Sequence, residues 1–246
     1  MDHLPAQPNR SLIEGLEVLL AVAQSKEPVR VRQLARELGM TPTRVQRFLG
    51  TLRHLGMIDQ HPDRRYGVGS GIHALSAIAL SASGLAQQAM RVLPQLDDLK
   101  MIVALGVLWR NTVNYFYFNL PGVTASHALG KTDGYPARDS SIGLLLMAHK
   151  PPEFVAEFFP DEHEELLPLL RVIAQRGYAL ITRPEGEASL AVPIGNPPIA
   201  GLAVSGQLRD DTFDTILQRL RETAAQISAY PSLPMKGDEP NPLSSL

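Results

Sequence analysis

The stretch from residue 11 to residue 68 constrains this chain most. Two short helix signals, a tight glycine turn, a basic helix and a hairpin follow one another there. Gly39 comes just past an apolar-periodic segment ending in Glu37 and Leu38, where a residue without Cβ takes a left-handed turn readily. Thr41 supplies an N-cap oxygen, and Pro42 takes the first helical position, where its missing N–H costs nothing. Leu34, Ala35 and Leu38 form the inner stripe of the first helix; Val45, Phe48, Leu49, Leu52 and Leu55 repeat at helical spacing along the second. An earlier helix opens on the capping box Ser11-Leu-Ile-Glu14 and turns Leu12, Leu16, Leu19, Leu20 and Ala23 inward.

The outer face of the basic helix is left with Thr43, Arg44, Gln46, Arg47, Gly50 and Arg53, and no acidic residue occurs between Glu37 and Asp59. Residues 57–60 and 66–68 read as two short strands around the basic, turn-rich tip His61-Pro-Asp-Arg-Arg65. This order is that of a winged helix-turn-helix, and such a surface suits phosphate. The pattern predicts contacts to double-stranded DNA from Arg32, Thr41, Thr43, Arg44, Gln46, Arg47, Arg53, Arg64 and Arg65. Thr43, Gln46 and Arg47 are placed nearest base edges, and Arg32, Arg53 and the wing arginines on the backbone.

Charge is divided along the chain. Residues 1–70 carry ten Lys and Arg against seven Asp and Glu, a net +3, while the remainder carries thirteen against eighteen, a net −5. A basic front and an acidic back fit a DNA-reading domain joined to one that does not touch DNA. The absence of cysteine excludes disulfides, thiolate nucleophiles and Cys-based metal sites. No apolar run approaches the roughly 20 residues that cross a membrane, and the start resembles no signal peptide. The expectation is a cytoplasmic protein that uses no cofactor and engages no membrane.

Four segments are expected: a winged helix-turn-helix over residues 1–70, a linker or dimerisation helix over 71–84, an effector domain over 85–230, and a disordered, proline-bearing tail over 231–246. Residues 72–83 are small, apolar and nearly uncharged, as suits a helix packed on something, a partner subunit included. The apolar pattern continues over 85–99. Residues 102–109 and 112–118 read as a hairpin, 124–129 as a third strand, and 140–149, 151–159 and 162–176 as helices. Three strands over 178–182, 188–194 and 199–207 precede an amphipathic helix over 212–229. This order implies an α+β fold on an antiparallel sheet, with helices on one face and a ligand-accepting concavity on the other. Within 115–118 strict alternation pairs Tyr115 with Tyr117 and Phe116 with Phe118, one pair in the core and the other exposed or lining a pocket.

Ser11-Leu-Ile-Glu-Gly-Leu16, Leu34-Ala-Arg-Glu-Leu-Gly39, Arg47-Phe-Leu-Gly-Thr-Leu52 and Tyr66-Gly-Val-Gly69 stand in an order that resembles the IclR family of bacterial transcriptional regulators. Pro136 to Pro152, Arg176-Gly-Tyr-Ala-Leu180, Ala191-Val-Pro-Ile194 and Ala203-Val-Ser-Gly206 extend the resemblance to about residue 229. The resemblance implies a linker helix used in dimerisation, a GAF-like effector-binding domain, and a homodimer or dimer of dimers. Where the family usually carries His-Ala-Thr-Ala-x-Gly-Lys, this chain has Arg138-Asp-Ser-Ser-Ile-Gly-Leu144. Ser189 stands where members often have Cys, Ser205 is the remaining serine of a late Ser-x-Ser-Gly element, and the loop between Leu180 and Ser189 is shortened.

Arg138, Asp139, Ser140, Ser141, Ser189 and Ser205 are therefore the expected effector contacts. Arg138 beside the amides of a helix N-terminus favours an anion such as a small carboxylic or sugar acid. Asp139 and Ser140 also serve as plain N-cap candidates. Two rivals stand beside this reading. One is a winged-helix protein-interaction adaptor whose back domain only oligomerises. The other is a hydrolase using Ser140 or Ser141 with His127 and Asp133, though no Gly-x-Ser-x-Gly elbow accompanies those letters. A regulator rather than an enzyme is expected.

Overall fold

A computed structural model of the chain describes residues 8–122, 134–183 and 186–228, and the chain divides into two compact units, Met1–Ala79 and Leu80–Leu246. The expected strand at 124–129 and the tail at 231–246 lie outside the described residues.

The first unit packs α1 (Arg10–Gln24), α2 (Val31–Glu37) and α3 (Pro42–His54) against an antiparallel hairpin of β1 (Ile58–Gln60) and β2 (Tyr66–Val68). Gly39 takes φ +62°, and the Met40 N–H returns to the Ala35 carbonyl at 2.9 Å, which closes α2 and turns the chain into α3. Thr41 caps α3 by accepting from the Arg44 N–H at 3.4 Å. Leu34, Val45, Leu49, Ile58 and Tyr66 meet in the core.

The opening helix differs from expectation. Its N-cap is Asn9, whose side chain accepts from the Leu12 N–H at 3.0 Å, so Ser11 lies inside the helix and no capping box forms. The buried stripe is Glu14, Val18 and Val22, at i, i+4 and i+8, which rotates Leu12 and Leu16 outward to 61% and 49% exposure. Leu55, one residue past α3, is exposed as well. After β2 the chain enters α4 (Ser70–Ser83), whose Leu75 and Ile78 are exposed.

The second unit is built on a six-stranded sheet in the order β5-β4-β3-β8-β7-β6, with every pairing antiparallel. The strands are β3 (Ile102–Trp109), β4 (Thr112–Asn119), β5 (Tyr135–Pro136), β6 (Ala179–Thr182), β7 (Glu187–Ile194) and β8 (Ala200–Gln207). The fold is α+β, but the helices cover both faces, not one. On the first face, α5 (Leu85–Val92) continues into a 3-10 turn, Leu93–Leu99, and packs with α9 (Asp210–Ser228). Pro94 near the start of that 3-10 turn has no N–H to extend the α-helix, which is why the pattern over 85–99 does not run as one helix. On the second face lie α6 (Ser141–Met147), α7 (Pro152–Phe158) and α8 (His163–Arg176).

The two faces are lined differently. Val103, Leu105, Leu190, Val192, Leu202 and Val204 point toward α5 and α9, whereas Ala104, Ala179, Ala191 and Ala203 point toward α6. The alanines let α6 lie close to the sheet, and all seven of its residues are buried. A Cβ on Gly201 would stand 2.8 Å from the Ile142 Cγ2, and one on Gly143 would collide with the Ala137 carbonyl. Gly143 thus lets α6 nest against the 3-10 turn Ala137–Asp139, which carries the chain into Ser140 and Ser141. Gly143→Ala should therefore destabilise the second unit by about 3 kcal/mol through overpacking against backbone, read as a lowered denaturation midpoint.

Candidate functional sites

The exposed face of α3 carries Thr43, Gln46, Arg47, Gly50 and Arg53, as the helical spacing predicts. Several of these side chains already have partners. Arg44 is half-buried and its Nη2 pairs with the Glu14 Oε2 at 2.5 Å, while the Arg10 Nε holds the other oxygen at 3.0 Å. Gln46 Nε2 donates to the Tyr66 hydroxyl at 3.1 Å, and Arg53 Nη1 donates to the Gln60 Oε1 at 3.0 Å. Both bonds join α3 to the hairpin. At the hairpin tip Arg64 sits at φ +64°, and Arg65 Nε pairs with the Asp63 Oδ2 at 2.8 Å. Arg47 is exposed, its guanidinium 6.0 Å from the Phe48 ring centre, and Arg32 is exposed on α2. Thr43 is exposed in the first turn of α3, and the Thr41 hydroxyl is engaged in the cap.

Arg44 is thus differently placed from the other basic residues of α3: it is partly buried against the Glu14 carboxylate. The carboxylate is nearly buried while Arg44 remains partly exposed, so the pair joins α3 to α1 with a strength that solvent screening reduces below that of a fully buried pair. The sequence placed Glu14 in a capping box, and neither its burial beside Val18 and Val22 nor its partner thirty residues along the chain was legible there.

The second unit holds a cavity of about 240 Å³ on the α6 face of the sheet. Asp139, Ser140, Ser141, Ser189 and Ser205 all line it, although they come from three separate stretches of sequence. Ser189 and Ser205 are opposite one another in the β7–β8 register. Ser205 donates to the Ser189 Oγ at 2.7 Å, and Ser189 shares a 2.7 Å bond with the Ser141 Oγ. A serine hydroxyl has one hydrogen, so a chain running Ser205 to Ser189 to Ser141 leaves the Ser141 hydrogen free to donate. Ser140 caps α6 by accepting from the Gly143 N–H at 3.2 Å and lies 3.3 Å from the Tyr115 hydroxyl.

Arg138 is not among the lining residues. Its guanidinium pairs with Glu162, just before α8, and stands 3.5 Å from the Asp139 carboxylate. The basic side chain at the cavity is Arg183, at the end of β6, with Glu187, Tyr135, Phe118 and Tyr115 also facing it. Strict alternation mispairs the aromatics because the β3–β4 register slips between Leu105 and Gly106, which oppose Tyr117 and Tyr115 and leave Phe116 bulged. Tyr115 and Phe118 therefore share the cavity face, their rings edge to face at 5.6 Å, while Phe116 and Tyr117 turn to the other core. A Cβ on Gly106 would sit 2.8 Å from the Val113 Cγ1, so the bulge needs glycine there.

No histidine lines the cavity among the described residues. His127 and Asp133 lie outside the described residues. Among the described residues no helix is long and apolar enough to cross a membrane.

A helix-turn-helix with a hairpin wing, joined to a sheet domain holding a serine-lined cavity, is the construction of a transcriptional regulator. The IclR helix-turn-helix domain model matches residues 11–62. The HTH-type transcriptional regulator KdgR of Dickeya chrysanthemi is 26% identical over 216 residues, covering 79% of this chain and 70% of that protein. The crystal structure of an IclR family transcriptional regulator from Brucella abortus is 25% identical, with a TM-score of 0.70 over 92% of this chain and 94% of that one. An IclR homologue from Microbacterium hydrocarbonoxydans, solved with 4-hydroxybenzoate, has a TM-score of 0.65 at 21% identity, over 89% of this chain and 97% of that one. The chain carries an IclR helix-turn-helix domain and is a transcriptional regulator of the IclR type.

Burial raises the Tyr115 phenol above its ordinary value near 10, against the lowering effect of its bond to Ser140. The folded state therefore holds this proton more tightly than the unfolded chain does. The associated stability is complete below the ordinary value and is lost as pH rises through the higher native one. Phenolate absorbance should show a late-ionising tyrosine in the native protein. Burial raises the Tyr117 phenol too, so Tyr115→Phe should reduce the late step and the alkaline loss of stability, leaving the share that Tyr117 supplies.

Proposed function

We propose that this chain is a sequence-specific DNA-binding regulator whose operator affinity is set by a small carboxylic or sugar acid held in the cavity of the second unit. In this reading residues 1–70 read DNA, 71–84 link and dimerise, and 85–230 form a GAF-like effector domain, the protein acting in the cytoplasm as a homodimer or dimer of dimers. Two recognition helices on a palindromic site supply the affinity that one winged helix lacks. Effector binding biases the two front domains through the helices over 72–99. A coupling of about 1–3 kcal/mol is enough for a several-fold to hundredfold change in occupancy.

The observation that carries the effector reading is the convergence of Ser140, Ser141, Ser189 and Ser205 with Arg183 around one cavity. The guanidinium gives a carboxylate a forked partner, and the Ser141 hydroxyl gives it a donor. Tyr115, Phe118 and Tyr135 offer apolar surface for the body of the acid. The homologue with 4-hydroxybenzoate supports a small organic acid as the class of ligand. Arg183 takes the role that the sequence pattern gave to Arg138.

A thermal-shift screen of carboxylic and sugar acids tests this. At least one acid should raise the unfolding temperature, Arg183→Ala should abolish that rise, and Arg138→Ala should retain it. A screen without any stabilising acid, or a hit indifferent to Arg183, would sink the effector assignment. On the DNA side, Arg47→Ala should weaken binding to a selected duplex about tenfold or more, within the roughly 1–3 kcal/mol that a base-contacting arginine supplies. Titration at wild-type affinity would remove Arg47 from the interface.

A further inference from the structure

Tyr66 ties the hairpin to the helix that is placed to read bases. Its main chain is paired with Val29 by two backbone bonds of 2.8 Å each, and the residue is only 3% exposed. Its hydroxyl oxygen accepts from the Gln46 Nε2 at 3.1 Å, while Gln46 itself is exposed on α3. One end of this contact is rigid and the other faces solvent. A second bond, Arg53 to Gln60 at 3.0 Å, joins the same helix to the same hairpin two turns further along. Together the two bonds hold the hairpin in one setting against α3.

A glutamine amide has two N–H donors and one carbonyl acceptor. With one N–H given to the phenol, the other N–H and the carbonyl remain side by side on the outer edge. That donor–acceptor pair is what adenine takes at N7 and N6 in the major groove. An unheld amide offers donor and acceptor in either order; an amide anchored through Nε2 offers them in one order only.

We propose that Tyr66 is a positioning residue for sequence reading, holding the Gln46 amide so that this side chain selects adenine at one position of each half-site. The inference rests on the DNA-reading proposal above. It assigns base discrimination to a residue that touches no base.

Selection from a randomised duplex library with the full chain tests it. The wild-type protein should select a motif containing one adenine whose preference disappears in Gln46→Ala. Tyr66→Phe, which keeps the ring, should reduce the preference at that same position about threefold to tenfold, the span of one neutral hydrogen bond. The loss should be confined to that position, and Tyr66→Phe should add nothing in a Gln46→Ala background. If Tyr66→Phe lowers the yield of folded protein, Gln46→Glu reads the same contact from the other side. Its carboxylate has no N–H to give the phenol and accepts the phenol proton instead, so it offers bases only acceptors and the preference should move from adenine to cytosine. A motif unchanged by Tyr66→Phe, a loss spread evenly over the site, or adenine retained by Gln46→Glu overturns the inference. A wild-type chain that selects no motif overturns the DNA-reading proposal itself, and this inference with it.

Discussion

The close approach of α6 to the sheet is the contact on which the rest of the second unit depends. Alanines at 104, 179, 191 and 203, with Gly201 beneath Ile142, remove the side-chain volume that would hold a helix about 10 Å from the strands. Because α6 is apolar on every side it can be buried completely, and its N-cap then falls at the level of Ser189 and Ser205. The cavity exists where the sheet continues past the start of this helix. Its hydroxyl chain follows from that placement: Ser141 reaches Ser189 only because its helix lies so close to β7.

The first unit is organised by a comparable internal constraint, electrostatic in kind. Glu14 sits on the buried stripe of α1 and gathers Arg10 and Arg44 around it. A carboxylate there is tolerated because both of its oxygens are paired. The effect is to set α3 on α1, while Gln46 and Arg53 set the hairpin on α3. The exposed face of α3 is thus pre-organised through its own polar side chains. A list of basic residues on one helix face treats them as equivalent, yet here Arg44 is committed inward and Arg47 is not.

Much of this was legible in the chain. The Gly39 turn, the Thr41 cap, the stripe of Val45, Phe48, Leu49 and Leu52, and the antiparallel strands of the second unit each follow from local rules. The serines of the cavity were legible through family resemblance, and they do converge. Arg183 was not, since nothing near it in sequence distinguishes it from any other arginine at a strand end. Arg138 adjoins Ser140 and Ser141 in sequence but does not line the cavity, and Glu162, with which it pairs, lies twenty-four residues away. Tyr115 and Phe118 were separated by the period-2 rule because a single bulged residue, Phe116, reverses the side on which the rest of β4 faces.

By itself the sequence determined the order of elements, the charge division between front and back, and the winged helix-turn-helix, all of which rest on short-range spacing, capping and turn chemistry. Tertiary structure alone decided which polar groups are spent on one another. It committed Arg44 to Glu14 and Arg138 to Glu162, joined Ser141 to Ser189 and Ser205, and left Arg183 at the cavity. The physical reason is that an ion pair or hydrogen bond between residues distant in sequence leaves no local signature. It is set by the packing of the helices and strands that carry its two ends.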